Sequence, residues 1–543
     1  MKIALAQCNP TVGDFSGNTN RILELAQEAK DAGARLVLFP ELAVCGYPPR
    51  DLLDFDGFVE KNLVALETIS KAAKGISILC GHIAKNPAPA GKPYFNSAAL
   101  LQDGKISALY QKQLLPCYDV FDEGRYFEAG KTPVIFTLDS LRFAVTICED
   151  AWNFPAFLPR PYIEQPLHAY RDKNIDWILN ISASPFSLGK PEMRLRLFAQ
   201  ASAFSKAPVI FCNQVGGNDE LLFDGCSFVV NPEGRTLSAA KAFSEEIHYF
   251  DTEATNDKAL PWPTSQGQWL YEALVLGTRD YMRKCGAKGA CLGLSGGVDS
   301  SVCAAIATEA LGKKAVTGVC LPTRYTSNAS LEDAEAVAKA LDMPFHVLGI
   351  ETIFKLFENL WKEWFHHAAD SLTLENVQPR IRMTILMALA NSRRLFLLNT
   401  SNKSEIATGY ATLYGDSSGA LSILGDLTKH QVYQLAEFIN SRGNMIIPKR
   451  VLERPPTAEL RHHQTDQDTL PPYSILDPMV VAVVEGLKGT DTLIQEGFDT
   501  QWVEKFSKLH AASEYKRHQL PPVIRVSSRA FGIGRRIPVA SVK

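Results

Sequence analysis

Three short fragments of this chain end an apolar run on a side chain that can do chemistry: Leu38-Phe-Pro-Glu41, Tyr110-Gln-Lys112 and Val145-Thr-Ile-Cys148-Glu-Asp150. Cleaving a carboxamide takes a thiolate to attack the carbonyl, a base to accept the thiol proton, and a cation or donor to hold the tetrahedral oxyanion. Cys148, Glu41 and Lys112 can fill those roles in that order. A neighbouring ammonium lowers a thiol's pKa, so Lys112 is expected to favour the Cys148 thiolate. Taken singly, Cys148 reads as a buried strand thiol, Lys112 as a surface charge and Glu41 as a helix-start acid; the chemical reading rests on the three together. Glu123 reads equally as a further orienting acid or a plain surface carboxylate.

A second fragment, Leu292-Gly-Leu-Ser-Gly-Gly-Val-Asp-Ser-Ser301, follows an apolar strand-like run and opens a helix-like one. Successive backbone N–H groups and a helix N-terminus make an anion cradle at such a turn. Gly296 and Gly297 permit the tight path, Ser295, Ser300 and Ser301 offer hydroxyls to phosphate, and Asp299 suits magnesium. The plain alternative is a strand-to-helix turn capped by Asp or Ser. The loop lacks the lysine of the G-x-x-x-x-G-K-[ST] pattern, so transfer of a γ-phosphate is not its expected chemistry.

The elements that must position these groups alternate along the chain. Asn18-Thr19 can cap a helix with Ile22, Leu25, Ala26 and Ala29 on one face, Gly33 can close it, and residues 35–40 follow as a buried strand. Further strands are expected at 76–81, 97–101, 143–148, 177–181, 208–212 and 227–230, with functional side chains at their ends. Residues 251–268 are polar, aperiodic and carry two prolines, which predicts a linker between a domain at 1–250 and another at 269–543. The second domain opens with a helix at 269–283. It continues as strand 290–294, helix 300–311, strand 315–321, helix 331–341 and strand 345–348, a doubly wound parallel sheet. Residues 461–472 read as a polar, mobile loop.

The composition suits a soluble globular protein: 543 residues, 46% hydrophobic, 21% charged, net charge -3. That balance predicts no nucleic-acid or membrane partner. No apolar run approaches the roughly 18 residues needed to span a bilayer, and the apolar start before Gln7 is too short for a signal peptide. A cytoplasmic location is expected. The eleven cysteines form no C-x-x-C pair, as suits reduced, mostly buried thiols.

The loop at 292–301 resembles the PP-loop of the ATP pyrophosphatase family, which cleaves ATP between its α and β phosphates and adenylylates a substrate. Leu321-Pro-Thr-Arg-Tyr-Thr-Ser-Asn, Glu375-Asn-Val-Gln-Pro-Arg-Ile-Arg, Asn399-Thr-Ser-Asn-Lys-Ser-Glu405, Gly409-Tyr-Ala-Thr-Leu-Tyr-Gly-Asp416 and Gly425-Asp-Leu-Thr-Lys429 resemble, in order, motifs of the NAD synthetase branch. So do Pro456-Thr-Ala-Glu-Leu460, Leu470-Pro-Pro-Tyr473 and Glu514-Tyr-Lys-Arg517. The resemblance implies ATP contacts from Leu294, Ser295, Gly296, Gly297, Val298, Asp299, Ser300, Ser301, Thr400, Lys429 and Thr457, Mg²⁺ at Asp299 and Glu405, and deamido-NAD at Asn376, Glu405 and Lys516. The tail adds Arg517, Arg525, Arg529, Arg535, Arg536 and Lys543 against Glu514, a basic run that suits a dinucleotide pyrophosphate.

The first half resembles the nitrilase superfamily and its Glu-Lys-Cys triad, through Lys2-Ile-Ala-Leu-Ala-Gln7, Ala43-Val-Cys-Gly-Tyr-Pro48, Phe121-Asp-Glu-Gly-Arg-Tyr-Phe127 and Asn180-Ile-Ser-Ala-Ser-Pro185. That implies an α-β-β-α sandwich. In its glutaminase branch, Tyr118, Ser184 and Lys190 would hold glutamine, with residues 153–173 a variable insertion. The two halves together imply an amidotransferase: glutamine supplies ammonia through a shielded passage, ATP activates the nicotinate carboxylate, and the enzyme is a homo-oligomer. Rival readings are another PP-loop amidotransferase, such as an asparagine or GMP synthetase, and a non-catalytic nucleotide sensor. The first pairs the loop with an unrelated glutaminase, and the second does not need Glu41, Lys112, Cys148 and Asp299 intact.

Overall fold

Leu36, Val37 and Leu38 are all fully buried, which a strand achieves only when both of its faces are covered. The computed structural model describes residues 1–543 except Pro159, Thr255, Asn256, Val542 and Lys543. Pro159 of the expected insertion, Thr255 and Asn256 of the expected linker and Lys543 of the basic tail therefore lie outside the described residues. The chain divides into two units, Met1–Pro263 and Thr264–Lys543.

In the first unit one six-stranded sheet runs in the order Glu246–Asp251, Lys2–Gln7, Leu36–Leu38, Ser77–Lys85, Tyr94–Gln102, Lys105–Gln111. A second runs Thr236–Ala239, Phe228–Val230, Val209–Asn213, Trp177–Ser182, Leu141–Ile147, Ile135–Leu138. Side-chain alternation puts Leu36, Leu38, Leu79 and Leu100 in one cluster with Val145, Ile147, Leu179 and Ile210 of the other sheet. The opposite face sends Val37, Ile78 and Cys80 to Ile22, Leu25 and Ala29 of helix Phe15–Asp31 and to Leu66 and Ile69 of helix Phe58–Ala72. Beyond the second sheet, Phe198 of helix Lys190–Ser205 lies 4.7 and 5.7 Å from the rings of Phe211 and Phe228. This is an α-β-β-α sandwich.

The first helix differs from expectation at its start. Asp14 caps it by accepting the Gly17 N–H, while Asn18 lies inside it, buried, and spends its side chain on the Thr11 N–H and on the Thr11 and Val44 carbonyls. Residues 251–268 also differ. Asp251 pairs with Lys2 in the sheet, and Trp262 is buried with Nε1 donating to Ala240 O, so much of the expected linker is built into the first unit.

The second unit holds a parallel sheet in the order Phe345–Val347, Val316–Cys320, Ala290–Gly293, Phe396–Asn399, Leu421–Ser422. Chain order reverses between Ala290–Gly293 and Phe396–Asn399. A doubly wound sheet opens a crevice at that point, outside the carboxyl ends of its strands. Residues 294–301 and 400–402 leave those ends.

Two expected surface features are anchored in part to the interior, although residues 461–463 and 467–469 are exposed. Within 461–472, Leu470 and Asp466 are buried and Tyr473 Oη donates to Asp466 Oδ2 at 2.9 Å. The basic tail is largely satisfied from within: Arg517 and Arg535 both pair with Glu514 at 2.7 Å, and Arg525 donates to the carbonyls of Ser527 and Ser528. These three guanidinium groups are structural ties, which corrects the expectation that the tail as a whole presents charge to a pyrophosphate. Among the described residues no helix is long and apolar enough to cross a membrane.

Candidate functional site

In the first unit Glu41 lies just beyond strand Leu36–Leu38, Lys112 just beyond Lys105–Gln111, and Cys148 just beyond Leu141–Ile147. Lys112 Nζ donates to Glu41 Oε1 at 2.7 Å and to Glu123 Oε1 at 2.8 Å, with all three side chains buried. Glu41 also accepts from Asn96 Nδ2 at 2.7 Å and, through its other oxygen, from the Ala183 N–H at 2.9 Å. Glu123 accepts from Tyr47 Oη at 2.9 Å. Of the two readings of Glu123 left open by sequence, the plain surface carboxylate is excluded by its burial against Lys112.

Burial disfavours the Lys112 ammonium, but Glu123 and Glu41 outweigh it and keep it charged. Burial pushes Glu123 up to about 7, with Lys112 opposing and Glu41 adding to the rise. Cys148 departs from expectation. Burial pushes its thiol well up, Glu41, Glu149 and Glu123 add to that, and Lys112 pulls against them without prevailing. These surroundings favour the neutral thiol over the thiolate. Cys148 has φ +42°, in the left-handed region that a non-glycine residue enters at a cost of about 1–3 kcal/mol, and it begins the tight turn Cys148–Ala151 directly after its strand.

Next to Cys148, Glu149 accepts from one residue expected at glutamine, Tyr118, and from Tyr162, which was not expected. Tyr118 Oη donates to Glu149 Oε1 at 2.8 Å, and Tyr162 Oη donates to the same oxygen at 3.1 Å. Burial pushes Glu149 up; Lys112, the two tyrosines and Lys190 pull it down. Lys190 Nζ stands 5.5 Å from the centre of the Trp152 ring. Ser184 is held by its backbone, the N–H donating to Asn213 Oδ1 at 2.9 Å, one residue after the Ala183 N–H that binds Glu41. Sequence reasoning missed Asn96, Tyr47, Glu149 and Tyr162. The last comes from the expected insertion, whose 162–164 stretch is fastened by Asn153 to the backbone of Tyr162 and Glu164.

In the second unit the crevice contains two adjoining cavities of about 250 and 200 Å³ that share Ser295, Thr400, Asp416, Ala458 and Glu459. The larger is mostly apolar, walled by Leu294, Val319, Leu321, Met383, Leu386 and Leu397. The smaller is polar, walled by Gly297, Val298, Asp299, Ser300, Glu405, Lys429, Arg454, Thr457 and Asp466. Gly296 has φ +79°, and a Cβ there would stand 2.1 Å from Ser330 O, so only glycine keeps the loop on this path. Ser300 and Ser301 Oγ both donate to Gly297 O, at 3.0 and 2.8 Å, and so brace the turn. Helix Val298–Leu311 starts with no side-chain cap, leaving its first turn oriented toward the polar cavity.

Lys429 Nζ lies 2.6 Å from Asp299 Oδ2 and 3.4 Å from Glu405 Oε1, joining the two carboxylates expected at magnesium. Asn402 Nδ2 holds the other Asp299 oxygen at 2.9 Å and forms a reciprocal cap with Glu405. Burial pushes Glu405 up to about 8, and Asp299 adds to this while Lys429 opposes. Asn376 and Lys516 are placed apart from these groups. Both grip the segment 409–412: Asn376 Oδ1 accepts from Thr412 Oγ1 at 2.8 Å, and Lys516 Nζ donates to the Gly409 and Ala411 carbonyls at 2.8 Å each. Thr457 Oγ1 donates to Gln464 O at 2.6 Å. Asn402, Arg454 and Asp466 were not foreseen, although the Asn402-x-x-Glu405 spacing is a legible capping box.

Residues 2–255 match the carbon-nitrogen hydrolase family and residues 270–520 match the NAD synthase family. A glutamine-dependent NAD(+) synthetase of Synechocystis is 42% identical, over 99% of this chain and 98% of its own. The chain belongs to the glutamine-dependent NAD(+) synthetase family. A relative from Thermotoga maritima is 37% identical over 100% of this chain and 98% of its own. Among solved structures, the Acinetobacter baumannii glutamine-dependent NAD+ synthetase, in complex with ADP, is 35% identical with a TM-score of 0.78, covering 99% of this chain and 98% of that one. A Cytophaga hutchinsonii enzyme at 22% identity and TM-score 0.85, covering 100% and 98%, shares the fold.

Proposed function

We propose that this chain amidates deamido-NAD⁺ to NAD⁺ with ATP and the amide nitrogen of glutamine, giving AMP, pyrophosphate and glutamate. The observation that carries the reading is the pairing in one chain of a buried Glu41–Lys112–Glu123 cluster beside a thiol with a PP-loop at a sheet switch point. In the first unit Cys148 Sγ attacks the glutamine carbonyl as Glu41 takes its proton, and Lys112 faces the oxyanion. Glu41 returns the proton to the departing nitrogen, ammonia leaves, and water, deprotonated by Glu41, frees glutamate from the thioester. Tyr118, Ser184 and Lys190 orient the amino-acid end, the Lys190 ammonium being matched to its carboxylate.

In the second unit the apolar cavity suits an adenine and the polar one its phosphates. Ammonia from glutamine displaces AMP from the adenylylated nicotinate carboxylate. Lys429, Arg454 and the uncapped first turn at Val298 supply positive potential to the phosphates. Asp299 and Glu405 present hard oxygen donors in one cavity, the chemistry Mg²⁺ prefers when it takes one or two carboxylates along with substrate phosphates. Mg²⁺ bound there supplies charge neutralisation on the pyrophosphate. Asn376, Glu405 and Lys516 serve deamido-NAD, the first and last through the segment 409–412 that both of them hold. Homo-oligomer formation is supported by helix Glu351–Phe365, which exposes Ile353, Leu356, Trp364 and Phe365.

Ion-exchange analysis of products tests the phosphate chemistry. AMP and pyrophosphate should appear one for one with NAD⁺. ADP and phosphate rising in step with NAD⁺ would remove the PP-loop reading.

A further inference from the structure

Asp150 lies two residues after the nucleophile, wholly buried, and none of the chemistry above uses it. Its Oδ1 accepts the backbone N–H groups of Gln113 at 3.0 Å and Leu114 at 2.8 Å, and its Oδ2 accepts the Ile147 N–H at 3.0 Å and the Tyr110 hydroxyl at 2.8 Å. Gln113 and Leu114 directly follow Lys112, and Ile147 directly precedes Cys148. Oδ1 therefore holds the chain leaving the edge strand Lys105–Gln111 of the first sheet, and Oδ2 joins Tyr110 of that strand to Ile147 at the end of Leu141–Ile147 in the second.

We infer that Asp150 is a positioning residue for glutamine hydrolysis: a single carboxylate that sets the Lys112 strand end against the Cys148 turn across the two sheets. This rests on the glutaminase reading given above. The chemistry demands such a device. Lys112 must face an oxyanion that forms on the carbon bonded to Cys148 Sγ, yet the two residues come from different sheets whose apolar contacts allow small slips. Backbone N–H groups aimed at a shared buried carboxylate do not slip in that way, because each bond is directional and charge-assisted. The same bonds hold the turn in which Cys148 adopts φ +42°. Burial pushes Asp150 up to about 6, with the Leu114 and Ile147 N–H groups and Lys112 pulling it down, and the four donors facing its two oxygens favour the acceptor-only carboxylate.

Asp150→Asn is the discriminating change. It keeps shape and volume, and its carbonyl oxygen can still serve one strand end, but its NH₂ must then face an N–H of the other, donor against donor. The full-length variant should lose about 100-fold in kcat for glutamine hydrolysis with KM changed by less than about threefold, the signature of misplaced groups and not of lost substrate contacts. Alkylation of Cys148 by a glutamine-derived chloromethyl ketone should slow by a similar factor, while the buried Cys45, Cys80 and Cys212 stay unlabelled and synthesis from ammonium is kept. Asp150→Ala should do the same or worse. Hydrolysis and alkylation of Asp150→Asn within about threefold of the parent protein would overturn the inference, since a misplaced reacting group costs far more than that. So would labelling of Cys45 and Cys80 alongside Cys148, because the carboxylate would then be holding the fold and not the geometry. If the parent protein itself resists the ketone at Cys148, the glutaminase reading fails and the inference falls with it.

Discussion

Glu41 both raises the Cys148 thiol by its charge and stands ready to take its proton, and the two effects can be separated. A small neutral electrophile such as iodoacetamide needs only the thiolate. Because the folded thiol is pushed up, its labelling rate should climb throughout from about pH 7 to about pH 9, the thiolate fraction growing with each unit. A plateau already reached at about pH 7 would restore the resting thiolate expected from sequence. Glu41→Gln removes a charge that pushes the thiol up, so the labelling profile should move to lower pH. In the same variant glutamine hydrolysis should fall by about 10²–10⁴-fold, the usual worth of a general base. If hydrolysis and labelling fall together, Glu41 is serving the fold and not the proton. Glu41 and Lys112, singled out with Cys148 in the sequence, do meet and both act on its thiol, but sequence could not show that the acids around the thiol outnumber the cation. Glu123 and Glu149 belong to the cluster only through burial, and burial is set by packing far along the chain.

At the scale of single elements, strand cores were legible because strands covered on both faces are continuous apolar runs. Residues 177–181 and 208–212 appear within a residue of their observed strands. The helix start at Asp14 was misread because Asn18 is an equally good cap by type; it is needed instead on the buried face, where it satisfies the loop around Thr11. Asn96 could not be found at all, since its place beside Glu41 depends on strand register, in which it sits opposite Ile83. The phosphate loop was legible as a motif, and its strictest demand falls on Gly296. Gly296→Ala should push the loop off Ser330 O, cost about 1–3 kcal/mol in stability and weaken ATP binding. Calorimetry of the folded variant checks this, and an ATP Kd equal to that of the parent would mean the loop does not hold the phosphates.

In the function proposed, the whole molecule divides labour between a thiol-dependent ammonia source and an ATP-dependent ammonia consumer. Asp299→Ala should end NAD⁺ formation from either nitrogen source, because the polar cavity loses a carboxylate that both routes need. Cys148→Ala is sharper, since it touches the source alone. NAD⁺ formation by folded Cys148→Ala protein should be followed with glutamine and, separately, with concentrated ammonium at mildly alkaline pH, where more of it is free ammonia. The glutamine reaction should be lost and the ammonium reaction should persist at close to the parent rate. An ammonium reaction as dead as the glutamine one would mean that Cys148 does not serve the ammonia source alone.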